Sequence, residues 1–132
     1  MKKEENLIED FKRALISTIK SISQEKDCEV KFDNSEANDG KNVSLPDLKK
    51  LENFEDVLNI RAIADSEALR LKYSDKEVFN LHKPSGRIAE KLYKIAEKIR
   101  YEKLGSDEFK GVEKNISTAF EIYLRNNKKK QS

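Results

Sequence analysis

Between Asn53 and Ser74 the chain reads FEDVLNIRAIADSEALRLKY. Phe54, Val57, Leu58, Arg61, Ala64, Asp65, Ala68 and Leu71 recur at spacings of three and four, the period of one helical face, and neither glycine nor proline interrupts them. Asn53 stands where an N-cap belongs, so the pattern predicts a helix over 54–73. Two members of this otherwise apolar stripe, Arg61 and Asp65, are charged. A charge taken out of water needs a partner, because leaving it unpaired costs several kcal/mol.

Working outward, the same period appears three more times. Leu7, Ile8, Phe11, Leu15, Ile19 and Ile22 predict a helix near 3–23. Ile88, Leu92, Ile95, Ala96 and Ile99 predict one over 86–104, with those residues as its buried face and Gly105 as its C-terminal glycine. Phe109, Val112, Ile116, Ala119, Phe120, Tyr123 and Leu124 predict a last helix near 107–125. The period changes to two at Cys28, Val30 and Phe32 and again at Val43 and Leu45. The intervening run 34–41 is rich in Asn, Asp, Ser and Gly, which predicts a small antiparallel hairpin within 28–45. A helical turn is expected at 47–51 after Pro46, and Ser74 with Glu77 reads as a capping box for a short turn through Asn80. The expected architecture is therefore mainly α: one compact domain over residues 1–125, with three to four long helices and a small hairpin. The stretch 126–132 holds no apolar residue and reads as a basic disordered tail.

The chain has 132 residues, 36% hydrophobic and 39% charged. A mean hydropathy of −0.83 is polar for a folded domain but fits a modest helical core. Four of the 27 basic residues, Arg125 and Lys128 to Lys130, lie in a closing stretch without acids, so the body carries 23 basic against 25 acidic residues. That balance argues against a nucleic-acid partner. One cysteine, Cys28, and one histidine, His82, exclude an intrachain disulfide and any metal site needing two of either. No apolar run is long enough to span a bilayer, and no signal-peptide core follows Met1. A soluble cytoplasmic protein is expected.

Little points to catalysis. His82 has no nucleophile in a motif nearby, and Gly40, Gly86, Gly105 and Gly111 are isolated, which leaves neither a P-loop nor a dinucleotide fingerprint. Asp33-Asn34-Ser35-Glu36-Ala37 approaches the cation-binding D-x-S-x-S pattern, but Ala37 replaces its second hydroxyl, and a loop is the better reading. Two constellations remain. Arg61, Asp65, Arg70, Glu97, Arg100 and Glu102 are expected to join in one polar cluster between the helices of 54–73 and 86–104. It either fixes helix packing or docks a partner. Arg87, Lys91, Lys94 and Lys98 form a basic ridge within a narrow helical arc. It is either a solvated face paired with Glu90, Glu97 and Glu102 or a grip for an anionic partner.

The run Ile60–Leu71 (IRAIADSEALRL), followed by Glu97–Ser106 (EKIRYEKLGS) and Phe109–Ile116 (FKGVEKNI), resembles the N-terminal region of the CobT family. The order of R-x-x-A-D-S-x-A-L-R-L, E-x-x-R-x-E-x-x-G-S and G-V-x-x-N carries the resemblance, which extends over about residues 10–120. CobT is the accessory subunit of the aerobic, ATP-dependent cobaltochelatase of cobalamin biosynthesis. The resemblance implies a complex that inserts cobalt into hydrogenobyrinic acid a,c-diamide. Within it an AAA+ ATPase subunit and a large corrinoid-binding subunit would be the partners, and this chain would be a non-catalytic docking or coupling domain. Cobalt, ATP and Mg are implied for the whole complex and not for this chain. The family's C-terminal von Willebrand factor A type domain has no counterpart before Ser132, so a fragment or a shortened homologue is expected. The alternative is an independent helical module that binds an anionic partner through the ridge.

Overall fold

The computed structural model describes residues 2–50 and 52–131. Its elements are α1 (Lys2–Ser23), β1 (Glu29–Phe32), β2 (Asn42–Leu45), a 3-10 turn (Leu48–Lys50), α2 (Phe54–Tyr73), α3 (Lys76–Leu81), α4 (Arg87–Glu108) and α5 (Lys110–Gln131). The fold is mainly α, as the periodicities predict. Of the turn expected at 47–51, Leu51 lies outside the described residues.

The axis of the fold is α2. Asn53, in extended backbone, accepts a hydrogen bond from the Asp56 amide at 2.9 Å, and the Asp56 carboxylate accepts from the Asn53 amide at 3.3 Å. This reciprocal box satisfies amide groups that the first helical turn would otherwise leave open. Farther along, Ile60, Ala62, Ala64, Asp65, Ser66, Glu67, Ala68 and Leu69 are all buried, so the helix is enclosed over more than one stripe. Its small residues let neighbours approach closely, and α2 touches α1, α4, α5 and β2.

Two apolar clusters result. Leu15 and Ile19 of α1, Cys28, Val43 and Leu45 of the sheet region, Leu48, and Ile60, Ala64 and Ala68 of α2 form the larger. Leu69, Tyr101 and Val112 form the smaller where α2, α4 and α5 meet, and Ile22 packs against both.

The strands pair in parallel, not as the expected antiparallel hairpin, with Val30 opposite Val43 and Phe32 opposite Leu45. Parallel pairing normally needs a crossover of about a dozen residues or more. The 33–41 loop achieves it by doubling back through left-handed conformations at Asn34, Glu36 and Gly40. Its own side chains hold it: Asp33 accepts from the Ser44 hydroxyl at 2.8 Å and the Ser35 amide at 3.1 Å, and Asn38 accepts from the Ser44 amide at 2.7 Å. The donor from the Ser35 amide, with the two hydroxyls behind it, lowers the Asp33 carboxyl below its usual range. The near-match to a cation motif is thus committed to closing the loop.

Three helix boundaries also depart from expectation. Ser74 is the C-cap of α2, and Asp75 caps α3 by accepting from the Glu77 and Val78 amides. Helix α4 continues through Gly105 to Glu108, and one extended residue, Phe109, separates it from α5. Gly105 is buried against Leu69, so its missing Cβ serves close helix packing and not chain termination. The 126–131 backbone continues α5 where a disordered tail was expected: no glycine or proline stops it, and lysine is a good helix former.

Candidate functional site

The six residues expected to form one polar cluster are divided among separate places. Asp65 is buried and accepts from the Asn115 side-chain amide of α5 at 2.8 Å. Burial raises its carboxyl above the usual range, against the opposing effects of Asn115 and the Arg61 charge. Arg61 itself is exposed and acts on Asp65 only through its field. Arg70 turns the other way: it pairs with Glu67 at 3.1 Å and donates to the Gly40 carbonyl at 2.8 Å and the Asn42 carbonyl at 3.0 Å, tying the strand loop to α2. Arg100 pairs with Glu97 and donates to the Tyr73 carbonyl at 2.6 Å, capping the end of α2 from α4. Glu102 lies near Ser66, and burial raises its carboxyl although Lys98 and Ser66 oppose the shift. Beside it burial pushes the Tyr101 hydroxyl up to about 12, with the Glu67 charge adding to the effect. Asp65, Arg70 and Arg100 each tie α2 to another part of the fold, whereas Arg61 stands in solvent and Glu97 pairs within α4.

Glu67, Tyr101, Gly105 and Asn115 were missed as members of this junction. The Glu67–Arg70 spacing of three was a visible signal for one of them.

Helix α4 holds the larger surprise. Ile88, Leu92, Ile95 and Ile99, expected to be buried, are 77%, 62%, 50% and 63% exposed. The helix packs inward with its polar edge instead. Tyr93 donates to the Phe79 carbonyl at 3.0 Å and its ring lies 4.6 Å from that of Phe79, while Glu90 pairs with Lys83 and Lys94. These two lysines, the first cause being Lys94, lower the Glu90 carboxyl. Of the expected ridge, Lys94 is therefore paired on the surface of α4 with Glu90 one turn back, whereas Arg87, Lys91 and Lys98 make no ion pair among the described residues and stand beside the apolar stripe. Phe120, Tyr123 and Leu124 on α5 are exposed as well, as is Phe54 on α2, next in sequence to the Glu55 that pairs with Arg125.

A cleft of about 980 Å³ opens between the 36–41 loop, α3 and α4. Its lysines are paired, Lys76 with Asp39 and Lys41 with Glu25, while Lys83 and Lys94 share the single carboxylate of Glu90. Among the described residues no three His, Cys, Asp or Glu side chains are grouped to hold a metal ion, and no helix is long and apolar enough to cross a membrane.

The family model of the cobalamin biosynthesis protein CobT matches residues 5–131, nearly the whole chain. The chain belongs to the CobT family. No solved structure matches it. Its membership associates it with cobalamin biosynthesis. The three CobT-like runs meet in space: Asp65 and Leu69 from the first, Tyr101 and Gly105 from the second, Val112 and Asn115 from the third build the α2–α4–α5 junction. What this CobT junction supports is α4, projecting its apolar face outward.

Proposed function

We propose that this chain is a non-catalytic docking domain of a cytoplasmic cobaltochelatase complex, coupling an AAA+ ATPase subunit to the large corrinoid-binding subunit. Cobalt is then a substrate of the complex, and ATP with Mg serves the partner. The observation that carries the reading is the outward apolar face of α4. Four large aliphatic side chains in one row, on a helix fixed from behind by Tyr93, Glu90 and Arg100, make a preformed surface whose burial would favour association. The side chains that could have suggested chemistry, Asp65, Glu67, Arg70 and Arg100, are engaged in joining elements of the fold.

Co-purification of the full chain with the AAA+ subunit and the large subunit, each tagged in turn, tests the proposal. A stoichiometric complex is expected, with ATP hydrolysis absent from this chain alone. Failure to associate with either subunit in the presence of ATP and Mg would refute it.

A further inference from the structure

Ile88, Leu92, Ile95 and Ile99 are spaced four, three and four apart, the seam of a helix that pairs with another helix. The two flanks of that seam differ. Lys91 and Lys98 line one side, with Arg87 behind them; Ala89 and Ala96 line the other. Alanines let a second helix approach closely, and lysines reward acids on it. We propose that α4 docks an acidic amphipathic helix of a partner protein, its apolar stripe on the Ile88–Ile99 seam and its carboxylates beside Lys91 and Lys98. This rests on the docking reading above and names the kind of element that the partner contributes.

Charge decides among possible occupants. In an antiparallel pair of α4 helices from two copies, Lys91 of one would face Lys98 of the other. A parallel pair would set the lysines beside alanines, with no acid to meet them. A second copy is thus a poor occupant. A membrane surface is disfavoured as well, since the exposed face is purely aliphatic and the cations line one flank only, whereas interfacial helices carry aromatic anchors and a broad basic face. Lys98 has two acids within a helical turn, Glu102, which is half-buried, and Glu97, which is already paired with Arg100; Lys91 follows Glu90, which is already shared by Lys83 and Lys94.

The test uses the full chain and a synthetic helix of about three heptads, with leucines in alternating four-three spacing and glutamates beside them, against a twin carrying lysines in place of the glutamates. Fluorescence anisotropy should show the acidic peptide binding about tenfold or more tightly than its twin, with the advantage shrinking as salt rises. Leu92→Asp and Ile95→Asp, both at exposed sites, should abolish binding with the circular dichroism spectrum unchanged. Lys91→Glu with Lys98→Glu should reverse the preference between the peptides. Equal binding of the twins, indifference to these substitutions, dimerisation of the chain through α4 in sedimentation, or binding to phosphatidylserine vesicles in preference to the peptide would each overturn the proposal. Association with the AAA+ subunit that ignores all four substitutions would leave the docking reading standing and remove this one. Peptide binding without association would do the reverse.

Discussion

Replacing Gly105 by alanine sets two known effects against each other. Alanine is better than glycine in a helix interior by about 1 kcal/mol. A Cβ built at Gly105, however, falls 2.7 Å from Cγ of Leu69 and closer still to both of its methyl carbons. Leu69 is fully buried, between Tyr101 and Val112, so it has no open direction in which to retreat. Overpacking of this kind costs about 1–3 kcal/mol, and three overlapping atoms put this site in the upper part of that range. The net loss should be about 1–2 kcal/mol, a fall in Tm of about 4–8 °C for a domain of this size. Gly111, near the start of α5, supplies the control: a Cβ there meets nothing within 4 Å, so Gly111→Ala should stabilise by up to about 1 kcal/mol. Thermal melts of both variants read the difference directly. Adding Leu69→Ala to Gly105→Ala should cost less than the two single changes summed, because the smaller side chain removes the overlap. If Gly105→Ala stabilises the domain as Gly111→Ala does, the close approach of α2 and α4 at this point is wrong.

Asp65→Ala should cost about 1–3 kcal/mol by stripping the Asn115 amide of its acceptor, while Asp65→Asn can keep the bond and should cost less. Because burial raises the Asp65 and Glu102 carboxyls, the folded chain holds protons that the unfolded chain has already released. Stability should therefore rise as pH falls from neutrality toward the ordinary carboxylate range, and Asp65→Asn should flatten that slope in urea titrations at pH 7 and pH 5; an unchanged slope would count against a buried, raised Asp65. Asp33 and Glu90, both lowered, act in a different window, losing their contribution only below the ordinary range. Arg70→Ala should free the Gly40 and Asn42 carbonyls and cost about 2–3 kcal/mol, with amide exchange accelerated in 33–42; unchanged protection there would show that the loop closes without the guanidinium.

Helix α2 was legible to the residue because two independent signals agreed, the Asn53 cap and an unbroken apolar period. The strand pair was legible as strands but not in direction. Alternation reports that one face is buried, whereas the parallel return depends on side-chain hydrogen bonds from Asp33, Asn38 and Arg70. Gly105 shows a similar ambiguity: a glycine after an apolar run marks a helix end or a close approach, and only the neighbour Leu69 distinguishes them.

For the candidate site the limit is physical. A period of three and four shows that a helix has an apolar face to cover; it does not say whether the cover lies in the same chain. The spacing of Ile88, Leu92, Ile95 and Ile99 predicts core, yet α4 is held by the edge bearing Tyr93 and Glu90. Likewise Arg61 and Asp65 are one turn apart, but the small turn of angle between them carries Asp65 into the α5 contact and leaves Arg61 in solvent. The CobT resemblance was readable over about residues 10–120 of the 5–131 that the family matches, and its three runs are the ones that build the three-helix junction.

The most direct measurement is the affinity of the full chain for the AAA+ subunit of its complex, by calorimetry with ATP and Mg present, for the unaltered chain and for Ile95→Asp. Ile95 is half exposed, so an acid there should leave the fold intact. A docking domain that works through α4 should bind in its unaltered form and lose about tenfold or more in affinity with Ile95→Asp. Undetectable binding by the unaltered chain would contradict docking itself, and equal affinities would contradict the role of α4.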